Sequence, residues 1–215
     1  MHIISVNLGK EQSIQGAKKS GVTGIYKNPV ATPVKISSLG IAGDAICDTR
    51  NHGGVDQAIY IYGTPDYAWW SQELGRELGP GTFGENLTIA GLESATFRIG
   101  DRLLTSEVTL EVTAPRIPCG TLVVRMGDPA FAKRFRAAER PGLYCRVVRE
   151  GAVQSGDAVT VEPYPGATIS ILEMFRAHYE PELDEATLRR HLAAPVAIRD
   201  RVSKEQQLHN LLEQK

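Results

Sequence analysis

The sequence predicts a β-rich α+β protein, with a barrel-like body over residues 1–163 and a small three-helix module over residues 168–215. Three observations lead to this prediction. Many short runs of β-branched and aromatic residues are separated by turns that contain glycine and aspartate. Only two segments before residue 163 have helical character. Beyond the proline-rich stretch 163–166, strand-like runs almost disappear and helical periodicity takes over.

The strands of the body are predicted from their alternation and their β-favouring composition, which is strongest at residues 58–62. Gly-Asp pairs at residues 100–101 and 156–157 mark turns. Residues 40–48 are rich in glycine and aspartate and are predicted to form a loop. The predicted strands cover residues 2–9, 21–34, 55–62, 86–89, 98–104, 108–113, 142–148 and 158–162.

Two helices are expected in the body. Thr64 suits the N-cap of the first helix and Pro65 suits its first turn, and the Gly-Pro-Gly sequence at 79–81 is expected to end it. The second helix covers residues 130–138 and is preceded by Asp128. In the tail, apolar spacing predicts three helices, which begin near residues 168, 184 and 197. The third is expected to turn Val202, Leu208, Leu211 and Leu212 inward.

Composition excludes several classes of protein. A hydrophobic share of 42% with a net charge of −1 is typical of a globular protein without bulk affinity for nucleic acid or membranes, so neither partner is expected. A helix-turn-helix DNA reader in the tail is disfavoured because acidic residues offset the basic ones there. Three cysteines without an apolar leader predict free thiols and a cytoplasmic location.

The segment Pro115-Arg116-Ile117-Pro118-Cys119 carries the strongest chemical signal. Its two prolines stiffen a stretch that directly follows a predicted strand. The Cys119 thiol suits a soft metal ligand or a nucleophile. Arg116 suits a phosphate contact or a charge that lowers the pKa of the thiol. The alternative is a cysteine that only packs in a core or loop.

Two glycine-containing loops and two cations add further candidates. His52-Gly53-Gly54, which follows Asp44, Asp48 and Arg50, offers backbone amides to an anion and a proton donor near neutral pH, or forms only a tight turn. The loop 81–88 offers Glu85, Asn86 and Thr88, which either bind a heterocycle or cap their own backbone. Lys27 and Arg146 either complete a phosphate pocket with Arg116 or lie on a solvated face.

Motifs for other common sites are absent from the sequence. It contains no paired CxxC and no HxxxH motif, which disfavours a structural zinc site. It contains no GxGxxG after a strand and no GxSxG, which disfavours a Rossmann dinucleotide site and a nucleophile-elbow hydrolase.

Taken together, these motifs resemble the MOSC family, which is named for the C-terminal domain of molybdenum cofactor sulfurase, and its YiiM-type branch with a C-terminal three-helix extension. The resemblance covers nearly the whole chain. It is carried by residues 52–60, 81–88, 99–101, 115–119, 140–146 and 155–157. It implies a MOSC-type β-barrel with short flanking helices that binds a molybdenum–pterin cofactor (Moco).

The resemblance also implies roles for individual residues. Cys119 matches the family's cysteine that is proposed to ligate molybdenum or to carry sulfur, and it is the expected catalytic residue and metal ligand. The residues expected to bind the cofactor or the substrate are Lys27, His52, Gly53, Gly54, Glu85, Asn86, Thr88, Arg116 and Arg146.

The function implied by the resemblance is reduction of N-hydroxylated compounds such as hydroxylaminopurines, hydroxylamines and amidoximes. Oxygen would be removed at molybdenum, and two electrons and two protons would give an amine and water. Three cysteines cannot form a four-cysteine iron–sulfur cluster, so a separate flavin or iron–sulfur reductase is the expected electron donor. The tail is a candidate surface for docking that partner or for a homodimer. The alternatives are a carrier of Moco or of a Cys119 persulfide, without turnover, and a purely structural role.

Overall fold

The computed structural model describes residues 1–16, 21–48 and 52–213. Within these residues the chain is a strand-rich α+β protein. Its strands are β1 His2–Gly9, β2 Gln12–Ser13, β3 Val22–Thr23, β4 Lys27–Val30, β5 Val34–Ser37, β6 Gly40–Ile41, β7 Ile59–Gly63, β8 Leu87–Ala90, β9 Arg102–Leu104, β10 Thr109–Pro115, β11 Leu143–Arg149, β12 Gly151–Val153 and β13 Thr160–Glu162. Its α-helices are α1 Thr64–Leu74, α2 Gly120–Met126, α3 Phe131–Ala138, α4 Ile171–Ala177, α5 Glu185–Ala193 and α6 Ile198–Glu213.

Eight of these strands form one sheet in the order β13-β9-β10-β11-β7-β8-β1-β4. All neighbours are antiparallel except β7 and β8. Backbone hydrogen bonds also tie the start of β1 to the segment before β13: Ile3 N donates to Asp157 O at 2.9 Å and Gly156 N donates to Ile3 O at 2.8 Å. The strand-rich α+β class is confirmed. The described strands form an open ladder, so a closed barrel stays a prediction.

The central strand β7 explains how the core is built. All five of its residues are buried, because neighbouring strands flank it and side chains cover both of its faces. A Cβ atom at Gly63 would lie 1.6 Å from the carbonyl oxygen of Leu92, so only glycine fits where β7 meets α1. Behind the sheet, the fully buried rings of Trp70, Phe131 and Phe135 pack together.

Helix α1 differs from its predicted boundaries. Its N-cap is Gly63, not Thr64, and the Thr64 hydroxyl instead accepts a hydrogen bond from Gly91 N at 3.1 Å. The helix ends at Leu74 because Gly75 adopts a left-handed conformation with φ of 62°, several residues before the Gly-Pro-Gly sequence. Helix α2 and strands β5, β6 and β12 were not predicted, since they are short, and β12 pairs with β5, which is distant in sequence.

The three predicted helices of the tail are present as α4, α5 and α6. The prediction that Val202 and Leu212 point inward is wrong, because they are 57% and 43% exposed, whereas Lys204 on the same helix is buried. Backbone contacts tie the tail to the body: Ala197 N donates to Thr113 O at 3.2 Å. A domain division between residues 163 and 168 stays a prediction. Among the described residues, no helix is both long enough and apolar enough to cross a membrane.

Candidate functional site

Cys119 lies at the junction of a strand and a helix. Strand β10 ends at Pro115, the next four residues have no regular structure, and α2 begins at Gly120. Cys119 is the extended N-cap residue of α2, with φ of −117° and ψ of 166°. Its side chain is half-buried, while the nearby Arg116 is only 4% exposed. The stiff segment thus places a reactive thiol and a buried cation beside one cavity.

This cavity, here called the cofactor cavity, contains about 650 Å³ of empty space, including the part open to solvent. Six of the residues predicted from sequence line it: Lys27, His52, Gly53, Asn86, Arg116 and Cys119. Four others do not: Gly54, Glu85, Thr88 and Arg146. Arg50 lies outside the described residues.

The environment of Cys119 favours the thiolate. Burial alone raises the pKa of the thiol, but the hydrogen bond from His52 and the charge of Arg116 outweigh burial and lower that pKa from 9.0 to about 5. The hydroxyl of Tyr144 lies 3.5 Å from His52 Nδ1. The thiol is therefore ionised near neutral pH, which is the form that binds soft metals and attacks electrophiles.

The guanidinium of Arg116 is fixed but incompletely satisfied. It donates through Nη1 to the carbonyl oxygen of Phe83 and lies 4.8 Å from the ring centroid of Tyr60. Its Nε has no hydrogen-bond partner among the described residues, and neither has Oγ1 of the buried Thr121, which also lines the cavity. Buried polar groups are usually paired, so these two atoms indicate room for a polar, anionic ligand.

The opposite wall is a fixed ion pair. The ammonium of Lys27 contacts both carboxylate oxygens of the buried Asp44. Burial lowers the pKa of Lys27, and the neighbouring carboxylate of Asp44 opposes that shift. Asp44 also accepts hydrogen bonds from Gly9 N at 2.7 Å and from Asn86 Nδ2 at 2.8 Å. Lys27 and Asn86 therefore shape the wall as paired groups. From the sequence, Lys27 was expected in a phosphate pocket or on a solvated face, and Asn86 was expected to bind a heterocycle or cap its own backbone.

Glu85 and Thr88 belong to a separate buried network. The carboxylate of Glu85 accepts hydrogen bonds from Tyr67 Oη at 2.5 Å, Gly81 N at 2.6 Å and Thr88 Oγ1 at 2.8 Å. Asn7 Nδ2 donates to Thr88 Oγ1 at 3.1 Å. The network anchors the loop 81–88 beneath the sheet, so these side chains hold the structure together and do not face the cavity.

Arg146 and Gly54 also have structural surroundings. Arg146 Nε lies 3.0 Å from Asp56 Oδ1, and its Nη2 donates to the carbonyl oxygens of Pro195 and Val196 at 3.1 Å each. Gly54 is the N-cap of the short 3-10 helix Val55–Gln57 and has a φ of 81°, which favours glycine. Arg146 therefore joins the body to the tail, and Gly54 shapes the turn before the 3-10 helix.

Sequence reasoning missed several residues that line the cofactor cavity, among them Asp44 as a buried acceptor, Tyr60, Thr121 and Tyr144. The aromatic residues could have been found from their alternation with apolar residues along β7 and β11, which places them on one face. Thr121 could not, because nothing in the sequence indicated that α2 begins at Gly120. Within the described ranges, no cluster of three or more His, Cys, Asp or Glu side chains could hold a metal ion alone.

Comparison with known proteins identifies the family of the chain. A model of the MOSC domain matches residues 48–160, which are 113 of the 215 residues. The chain therefore belongs to the MOSC domain family, and the predicted resemblance is confirmed. The matched region contains Cys119 and most of the residues that line the cofactor cavity.

Individual relatives support the same assignment. The chain is 36% identical to the uncharacterized protein YflK of Bacillus subtilis (strain 168), over 72% of this chain and 70% of that protein. It is 32% identical to a protein named "Reductase" from Gibberella moniliformis, over 71% of this chain but only 28% of that longer protein. The crystal structure of YiiM from Geobacillus stearothermophilus is similar, with a TM-score of 0.80 and 26% identity, covering 96% of this chain and 98% of YiiM.

Proposed function

We propose that the chain binds Moco and reduces N-hydroxylated compounds to amines and water. The observation that carries this proposal is the Cys119 thiolate at the wall of a cavity, beside the buried cation of Arg116 and two polar atoms that have no hydrogen-bond partner among the residues that the structure describes. Membership of the MOSC domain family and the relative named "Reductase" support it further.

The residues present fit the cofactor. Cys119 would be the thiolate ligand of the metal, because a soft ligand is expected for molybdenum held by a dithiolene. Arg116 and Thr121 would donate to the anionic or polar part of the pterin, since each has a buried polar atom that no described residue pairs with. The Lys27–Asp44 pair would form a rigid opposite wall. When bound, the cofactor would supply the two-electron removal of oxygen from the N–OH group.

The protein's own residues would control protonation. Conversion of R–NHOH to R–NH₂ and H₂O consumes two electrons and two protons. His52 and Tyr144 are 3.5 Å apart beside the thiol, so they are the groups placed to pass protons toward the reacting nitrogen and oxygen. Arg116 cannot serve this purpose, because it stays charged at all working pH values.

Electrons would come from a separate reductase. The chain has three cysteines, and it matches only 28% of the longer fungal relative named "Reductase". These observations support a reducing unit outside the residues of this chain.

The test is purification from a host that makes Moco. We expect molybdenum and pterin in equimolar amounts with the protein, and turnover of 6-N-hydroxylaminopurine with reduced methyl viologen. Turnover should be lost in Cys119→Ser and kept in Cys145→Ala, a control that removes a buried thiol that does not line the cavity. Equimolar cofactor without turnover would instead support a carrier. Full activity of Cys119→Ser would contradict the ligand role.

A further inference from the structure

A second cavity meets the cofactor cavity at Cys119. It contains about 970 Å³ of empty space, including the part open to solvent. One wall is the segment 114–119, and the other is formed by helices α4 and α6 of the tail. Cys119, His52 and Tyr144 line both cavities, so Cys119 lies at the boundary between them. This second space is here called the tail cavity.

The wall formed by the tail is held rigidly. Arg146 connects Asp56 on the body to the carbonyl oxygens of Pro195 and Val196 on the tail. Asp56 Oδ2 in turn accepts a hydrogen bond from Ile198 N at 2.7 Å, at the first residue of α6. The first turn of α6 therefore has a fixed position relative to the thiol, as a preorganised binding site requires.

The tail cavity combines apolar walls with one available carboxylate. Ile117, Pro118 and Met174 are among its apolar lining residues. Asp200, in the first turn of α6, also lines it and is half-buried. Its carboxylate accepts no hydrogen bond and forms no ion pair from the residues that the structure describes. Burial raises its pKa, against the influence of Lys204 and other nearby cations.

We propose that the tail cavity is the substrate compartment, in which the carboxyl group of Asp200 accepts a hydrogen bond from the N–H edge of a planar, nitrogen-rich substrate. The inference rests on the proposed function, since it places the cofactor on one side of Cys119 and the substrate on the other. The apolar side chains contact the faces of the ring, and Asp200 recognises its edge. Hydroxylamine itself has no such ring and edge, so its binding does not depend on Asp200.

The test compares Asp200→Asn with Glu205→Gln in the holoenzyme. Both remove one acidic charge from α6, but Glu205 is exposed and lies outside the tail cavity. For 6-N-hydroxylaminopurine, Asp200→Asn should raise KM about tenfold, the loss expected for one hydrogen bond to a charged group, with kcat and molybdenum content unchanged. KM for hydroxylamine should be the same in all three proteins.

A binding measurement separates this inference from the proposed function. Adenine should bind the metal-free wild type and Glu205→Gln equally in calorimetry, and Asp200→Asn about tenfold more weakly. If the wild type reduces 6-N-hydroxylaminopurine but Asp200→Asn has the same KM for it, the assignment of the substrate compartment is wrong, while the proposed reductase function is retained. If the wild type shows no turnover, the proposed reductase function is wrong, and the adenine titration alone tests the proposed substrate compartment. Adenine binding that does not depend on Asp200 would then overturn the compartment.

Discussion

The ionisation of Cys119 gives the most quantitative prediction. In the metal-free native protein, His52 and Arg116 lower the pKa of the thiol to about 5, from 9.0 for an ordinary cysteine. At pH 6 roughly 90% of the native thiol is ionised, against about 0.1% in the unfolded chain. The nucleophilicity of a thiolate falls with its pKa at a Brønsted slope of about 0.4–0.5. The native thiolate should therefore react about 40- to 100-fold more slowly than the unfolded thiolate.

The predicted difference in alkylation rate between the native and the unfolded thiol reverses with pH. At pH 6 the native thiol should be alkylated roughly tenfold faster than the unfolded one, and at pH 8 several-fold more slowly. The assay is iodoacetamide labelling from pH 4 to pH 9, followed by mass spectrometry of the peptide that contains Cys119. The native midpoint should lie near pH 5. The same shift also affects stability. Because the pKa of Cys119 is lower in the folded than in the unfolded chain, the thiolate stabilises the fold above the unfolded pKa, and this stabilisation is lost as pH falls through about 5.

A variant identifies the cause of the shift. His52→Ala should raise the labelling midpoint by about 1 to 3 pH units, because the thiolate loses its hydrogen bond. His209→Ala is the matched control, since His209 is 63% exposed on α6, and its midpoint should not change. A wild-type midpoint of 8 or higher, or an unchanged midpoint in His52→Ala, would refute the reasoning.

Three further predictions concern the framework of the site. Gly63→Ala should lower the free energy of unfolding by more than about 2 kcal/mol in urea denaturation, because the new Cβ would overlap Leu92 O. Gly79→Ala is the control, since the space around Gly79 is open, and it should have little effect. Equal stabilities of the two variants would contradict the packing argument. Burial raises the pKa of Glu85 in the folded protein. As pH rises from the unfolded pKa of this carboxyl group through its folded pKa, the fold therefore loses stability. Glu85→Gln should therefore lose less stability than the wild type over that rise, and parallel pH profiles in urea denaturation would disprove it. Arg146→Ala should speed amide exchange in α6 at least about tenfold without loss of molybdenum, because it removes the contacts of Arg146 with Asp56 and with the tail. Unchanged exchange in α6 would show that these contacts do not hold the helix in place.

Several features could be predicted from the sequence because their causes are local. Two prolines make the segment 115–119 stiff, and the spacing of Arg116 and Cys119 places a cation near a thiol. The change from strand-like to helical periodicity near residue 165 depends only on neighbouring residues, and α4, α5 and α6 follow it. The combination of these motifs was sufficient to identify the MOSC domain family.

The tertiary structure decided which polar side chains face the cavity. Glu85 and Asn86 are adjacent in sequence, yet one is sealed in a network with Tyr67 and the other pairs with Asp44, because strand register and distant partners set each orientation. Arg146 resembled a phosphate ligand, but contacts with residues about 50 and 90 positions away make it a link to the tail. Local patterns contain no information on such long-range pairings, so the tail cavity beside Cys119 could only be recognised once the chain was folded.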